Sequence, residues 1–353
     1  MRIKLAILEH DEEYLGRISS VLMSKYYGKV EVFCFTEPEQ ALKAVKENKM
    51  NVFLVAEDYE LNQMDLPGSC SGAYLVEFMN VETYKGFPAI GKYQKAEMIY
   101  RRALDILSES ISDSMEIKGS SHTPGRVITF VSASGGTGCS SVAVACAKGH
   151  HLQGRRVLFL NLEQMGDTEL FFHDSEQVGL SEVIFALKRK KGNLTLKLES
   201  SVSKDASGVN FFRSAKTPLD VAEMNPEDIE CLINALRNSS DYEVIIVDIN
   251  FSLSANVMEV LNQSEKIVFV STGSEVANSK LQKACEALET MEAHQGGSPI
   301  LAKTSIFYNM FSSRWGKMLD NQIHVMGGCP RVQGGLAEQV MEELMKSDVL
   351  SEI

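Results

Sequence analysis

This 353-residue sequence predicts an α/β protein made of two doubly wound domains. Three observations carry that reading. Short apolar, β-branched runs alternate with helical patterns twice over, once in residues 1–112 and again from 126 to 353. Between them "DSMEIKGSSHTPG" (113–125) is polar, Ser-rich and short of core residues, as a linker is. At 132–141, "SASGGTGCSS" sets a glycine turn between a strand run and a helix of small residues.

In the first half, "IKLAILE" reads as a buried strand. "DEEYLGRISSVLMSKYY" follows it and puts Leu15, Ile18, Leu22 and Met23 on one helical face. "VEVFCF" is the second strand, and "EPEQALKAVKEN" is a helix with Pro38 in its first turn. "NVFLVAED", "GAYLVEF" and "FPAIGKY" are the third to fifth strands, closed by the amphipathic "KAEMIYRRALDILSES". In the second half the strands are "RVITFVSA", "RRVLFLNLE", "GVNFFRSA", "YEVIIVDIN", "KIVFVST" and "KTSIFYN". Strands separated by helices imply parallel sheets.

Composition narrows the function. A net charge of −12 argues against nucleic acid or an anionic membrane as the main partner. The one basic cluster, "LKRKK" at 187–191, reads as a solvated helix end. Seven scattered cysteines with no metal or redox spacing are the usage of a reducing cytoplasm. The N-terminus runs into acidic residues and is not a signal peptide, and no apolar run reaches the ~20 residues of a membrane span. The expected location is cytoplasmic.

The first half resembles the receiver domain of response regulators, whose order is five strands and five helices with a lysine after the last strand. That family binds Mg²⁺ on acids after the first strand and accepts phosphate on an aspartate ending the third. Here Glu9 and His10 fall at the paired-acid positions with Asp11 beyond, Ala56 falls at the acceptor, and Lys92 falls at the lysine. Alanine has no oxygen to phosphorylate, and Asp58 lies two residues past the strand end. The resemblance therefore implies a receiver-like (flavodoxin-like) interaction domain without a phosphoacceptor, with Glu9, Asp11 and Asp58 as loop acids.

In the second half a glycine turn opening a helix can cradle phosphates on its N–H groups. Ser140 and Ser141 supply hydroxyls beside it, and Asp248 ends a run of four apolar residues, where an acid can hold the water shell of Mg²⁺. The set resembles the MinD/ParA family of P-loop NTPases, whose loop is K-G-G-x-G-K-[ST]-[ST]. This chain matches it at Gly135, Gly136, Gly138, Ser140 and Ser141, with Thr137 at the variable position. Both lysines are absent, replaced by Ser134 and Cys139. In the family the lysine at the Cys139 position neutralises the β- and γ-phosphates. The lysine at the Ser134 position crosses to the partner in a nucleotide-sandwiched dimer. The family's D-x-D becomes Asn161 and Glu163, which leaves Glu163 as the candidate catalytic carboxylate. The resemblance implies nucleotide contacts from Gly135 to Ser141, a Mg²⁺ held by Ser140 and Asp248, and Asn309 near the adenine. ATP and Mg²⁺ are the implied cofactors. Losing one preorganised donor at a developing charge costs about 2.7–4 kcal/mol, so hydrolysis should suffer more than binding.

Cys139 at a helix start also admits a second reading, a thiol of lowered pKa, although neither a His nor a second Cys stands near it in sequence. A tolerated small residue in a decayed loop is the plainer account.

Together the two halves are similar to TadZ/CpaE proteins, which act at the cell pole in tight-adherence (type IV) pilus assembly. "GDTELFF" and "GCPR" fit that likeness. It implies a homodimeric localisation factor that recruits pilus-assembly or secretion proteins through its receiver-like domain, at the pole or the inner membrane face. The C-terminal "GLAEQVMEELMKSDVLSEI" carries an apolar stripe of Leu336, Val340, Met341 and Leu344 under an acidic polar face. That face suits packing on its own domain, not insertion into lipid. Two rivals stand beside this reading. One is an active ATPase switch, with Arg126, Lys148, Arg155 or Arg156 standing in for the lost lysine. The other is a two-component output protein phosphorylated on Asp58.

Overall fold

The structure, a computed structural model, describes residues 2–78, 81–110, 123–174, 178–190, 192–295, 299–314, 316–319, 322–332, 337–351 and 353. Most of the predicted linker, and Leu336, lie outside the described residues. The chain forms two compact units. One is Met1–Lys118 with Arg189–Ser200; the other is Gly119–Lys188 with Ser201–Ile353.

The first unit runs β1 (Ile3–Leu8), α1 (Glu12–Lys25), β2 (Val30–Phe35), α2 (Pro38–Glu47), β3 (Val52–Ala56), β4 (Ser71–Val76), β5 (Thr83–Tyr84), β6 (Phe87–Gly91) and α3 (Ala96–Ser110). The sheet order is β2-β1-β3-β4-β6-β5, parallel except for the short β5, which is the flavodoxin-like arrangement with an added edge. Asp11 caps α1 by accepting from Tyr14 N–H, and Pro38 opens α2. The buried face of α1 is Tyr14, Leu15, Ile18 and Leu22; Met23 points outward. Among the described residues, two helices of the receiver pattern are not formed. The β3–β4 crossover contains only a 3-10 turn at Gln63–Asp65, and an antiparallel hairpin precedes β6. In the β3–β4 crossover the reason is local: "LNQMDLPGS" has no 3.6-residue apolar period and carries Pro67 and Gly68.

The second unit begins with β7 (Arg126–Val131), α4 (Cys139–Leu152), β8 (Val157–Asn161) and α5 (Leu180–Arg189). The chain then gives α6 (Leu194–Ser201), most of which belongs to the first unit. It continues through β9 (Ser203–Lys204), β10 (Asn210–Phe211), α7 (Pro218–Ala222), α8 (Pro226–Arg237), β11 (Val244–Asp248) and α9 (Ala255–Gln263). The last elements are β12 (Lys266–Ser271), α10 (Glu275–Gln295), β13 (Thr304–Phe311), β14 (His324–Pro330), α11 (Ala337–Met345) and α12 (Asp348–Ser351). The sheet order is β14-β13-β12-β7-β11-β8-β10-β9, parallel except for β9. Chain order reverses about β7, so a crevice opens at the carboxyl ends of the central strands.

All six predicted strands form; β9 and β14 are additional. Helix α4 is buried without interruption from Val142 to Ala147, as an all-apolar helix between layers must be. Met341, Leu344, Leu350 and Ile353 pack in the same core cluster as α4. Arg126 Nη2 donates to the Ile353 carbonyl at 2.9 Å. The described part of the C-terminal stripe, Val340, Met341 and Leu344, is therefore spent on its own domain. "LKRKK" meets the end of α5, where Lys188 pairs with Asp228. Among the described residues, no helix is long and apolar enough to cross a membrane.

Candidate functional site

The glycine loop leaves β7 at Ser132 and enters α4 at Cys139. Gly136 and Gly138 hold φ of +74° and +73°, the left-handed region where a side chain is strained. At Gly138 a Cβ would also stand 2.5 Å from Asn309 Nδ2. Ser132 organises the turn. Its Oγ lies 2.8 Å from the carbonyl oxygens of both Ser134 and Val270 and accepts from Thr137 Oγ1 (2.9 Å). Asn309, 6% exposed, donates from Nδ2 to the Thr137 carbonyl at 2.8 Å. Its amide is thereby committed to shaping the loop.

No side chain caps α4, so its first-turn N–H groups face the open loop. Such a terminus is an anion site. Gly135 and Gly136 are exposed, while Cys139, Ser140 and Ser141 are half-buried in the first turn.

Asp248 ends β11 in register with Phe130 and Asn161, and it is fully buried. Neither carboxylate oxygen has a well-formed hydrogen bond. Burial, followed by the Glu163 carboxylate, pushes its pKa up to about 7, and the Ser140 hydroxyl and Cys139 thiol lie near enough to offset only part of this. Burial also raises Glu163. Asn161 Oδ1 accepts from Glu163 N–H at 2.9 Å and its amide fills the space where a Cβ on Gly166 would sit. The Cys139 thiol rises well above its ordinary value through burial and then the Asp248 and Glu163 carboxylates. It is a protonated thiol at neutral pH, not a reactive thiolate.

A buried carboxylate without a well-formed hydrogen bond, beside a hydroxyl on a helix start, is a donor set that fits a hydrated Mg²⁺. Among the described residues, no cluster of three or more His, Cys, Asp or Glu could hold a metal by itself. A divalent ion here would need phosphate oxygens or water to complete its shell. Beyond Glu163, a cleft of about 270 Å³ is lined by Met165, Val221, Ile249, Asn250 and Ser252.

The four basic residues considered as stand-ins for the lost lysine lie elsewhere. Arg126, Arg155 and Arg156 stand at the amino ends of β7 and β8, opposite the loop. Arg155 donates to His150 Nδ1 at 2.7 Å, and Arg156 pairs with Glu243. Lys148 is nine residues into α4, roughly 14 Å from its start, over the Phe172 ring.

In the first unit the acid pocket is already filled. Lys92, 7% exposed, places Nζ 2.8 Å from Oε2 of the buried Glu9, an ion pair without hydrogen-bond alignment. Burial opposes the Lys92 charge, but Glu9 overrides it and holds the pKa above its ordinary value. Asp11 is spent on the α1 cap, Ala56 is buried, and Asp58 is exposed with His10 Nε2 at 3.5 Å. These residues do not fit the phosphorylation chemistry of a receiver.

Sequence reasoning missed Ser132 and the fixed rotamer of Asn161. The only available signal for Ser132 was a hydroxyl at the first position past an apolar strand.

Residues 1–108 match the family model described as "TadZ-like, receiver domain". A ParA family ATPase from Chlorobium tepidum TLS is similar in structure with a TM-score of 0.52 at 20% identity, covering 65% of this chain and 96% of that one. The MinC:MinD cell division protein complex of Aquifex aeolicus gives 0.50 at 14% identity, covering 64% and 93%. At such identities the likeness shows the fold alone: beside the TadZ-like receiver match, the chain has the fold of the MinD and ParA neighbours. No curated protein matches the sequence significantly.

Proposed function

We propose that this chain, opening with a TadZ-like receiver domain, is a localisation and assembly factor for tight-adherence (type IV) pili that holds a nucleotide weakly and hydrolyses it little. The observation that carries the reading is Cys139. The helix start that would face phosphates is intact, yet its cation has become a protonated thiol set against Asp248 and Glu163. The four basic residues considered as replacements are held elsewhere.

ATP with Mg²⁺ suits the residues present. The N–H groups from Gly135 to Ser141 would receive phosphate oxygens, and Ser140 with Asp248 would hold the ion, which supplies positive charge beside the phosphates. Glu163, its pKa raised by burial, can accept a proton from water. Nothing at Ser134 or Cys139 neutralises charge on a transferring phosphoryl group, and each missing donor costs about 2.7–4 kcal/mol. Binding survives such losses better than turnover does.

The chain works as a homodimer in the cytoplasm, recruited by partners to the cell pole or inner membrane face. The receiver-like unit binds pilus-assembly or secretion proteins without a phosphorylation step. With Ser134 unable to reach a partner's phosphates, sedimentation should show the same dimer with and without ATP·Mg²⁺. A monomer that dimerises only with ATP·Mg²⁺ would favour the active switch. Equilibrium binding tests the loop itself. Cys139→Lys should bind ATP·Mg²⁺ more tightly than wild type, because it returns a cation to the phosphate position. Unchanged affinity would show that the loop is not a phosphate cradle.

A further inference from the structure

The α1/α3 face of the first unit is covered by a stretch of chain that the sequence places far downstream. Residues 189–200 belong to this unit. Leu196 is 2% exposed and sits in one core cluster with Leu22, Tyr100, Leu104 and Leu107. Polar contacts surround that anchor. Glu199 Oε1 accepts from Lys29 Nζ at 3.0 Å and from the Tyr100 hydroxyl at 3.2 Å, and Lys197 pairs with Asp105.

The entry is as specific as the anchor. Asn193 N–H donates to the Ser108 carbonyl at 3.0 Å near the end of α3, and the Asn193 side chain accepts from Leu196 N–H. Gly192 has φ +92°, and a Cβ there would lie 2.6 Å from the Ser108 oxygen, so only glycine passes at that point. Apolar anchor, flanking ion pairs and a glycine entry together make a helix-in-groove site filled in cis.

We propose that residues 192–200, a glycine entry followed by most of α6, are a docking segment built into the receiver-like unit, and that its α1/α3 face is occupied by this chain. Two consequences follow from connectivity alone. The unit is not complete at residue 112, because its core waits for Leu196. A partner that recognises this unit must use another face unless it displaces α6.

Hydrogen exchange by mass spectrometry on the full-length chain tests this. In wild type, segments 12–25, 96–110 and 194–201 should all be protected. Leu196→Ala should speed exchange of the slow amides in all three by about thirtyfold, the factor for a mild large-to-small core substitution, and leave β11 and β12 unchanged. Should that variant fail to fold, Glu199→Gln serves instead, with a several-fold increase confined to the same segments. The proposal is overturned if 194–201 exchanges in wild type like an unstructured peptide. It is equally overturned if α1 and α3 keep wild-type protection in Leu196→Ala, or if Glu199→Gln alters only the second unit.

Discussion

Replacing Asp248 by asparagine should make the ligand-free protein more stable at pH 8, although it removes a residue assigned to the site. The carboxylate is fully buried without a well-formed hydrogen bond, and its pKa lies at about 7 against an unfolded value of 3.8. A raised folded pKa means that the folded state binds the proton more tightly. The stability this group confers is complete below pH 3.8 and is lost as pH rises through 7. Above pH 7 the charge costs about 4 kcal/mol relative to the protonated form, at ~1.4 kcal/mol per pKa unit. The asparagine amide is neutral but unpartnered in the same place, which returns about 1–3 kcal/mol of that gain. A net gain of about 1–3 kcal/mol should raise the melting temperature of the second unit by roughly 2–10 °C. Thermal unfolding at pH 8 and pH 5 checks this, with the difference between variant and wild type shrinking at the lower pH. A variant that melts lower than wild type at pH 8, or a difference that ignores pH, would refute the reasoning. The cost at neutral pH is the kind that a functional site retains, because a cation bound beside Asp248 would offset it.

His150 and Lys92 give further outcomes. His150 is fully buried, and its pKa is pushed down to about 4 by burial and then by Arg155 and Arg126. A depressed pKa means stability is complete above pH 6.5 and falls by about 3 kcal/mol as pH drops to 4. Denaturant melts at pH 7 and 4.5 should show this, and His150→Gln should flatten the profile. Lys92→Met leaves Glu9 buried without its partner and should destabilise the first unit by about 3–5 kcal/mol. Glu9→Leu combined with Lys92→Met should recover most of that loss in the same melts.

What the sequence shows and what it hides divide along the range of the interaction. Strands β7 and β11, the loop and α4 are legible because apolar runs, glycines and a terminal acid are local patterns. So is the alanine at the position where the receiver resemblance puts the acceptor, since Ala56 is visible without any fold. The docking of 189–200 on the first unit is not legible. Leu196 looks like any other helical apolar residue, and only tertiary packing shows which core it enters. Helix α5 ends at Arg189 inside the basic "LKRKK" and Gly192 follows, but neither feature tells which core the next apolar residues enter. The role of Asn309 as a loop anchor is not legible, because its bond to Thr137 spans 172 positions. The missing helix of the β3–β4 crossover could have been read from "LNQMDLPGS", where the resemblance to a family outweighed a sequence lacking helical period.

Steady-state ATP turnover of the purified full-length protein, beside Cys139→Lys and Glu163→Gln, tests the central claim most directly. A P-loop without either lysine should give wild-type turnover no higher than the buffer control. Cys139→Lys should stay low because Ser134 and Asn161 still lack charge. Wild-type turnover above the control and abolished by Glu163→Gln would mean that another group supplies the missing positive charge, and that the protein is an enzyme.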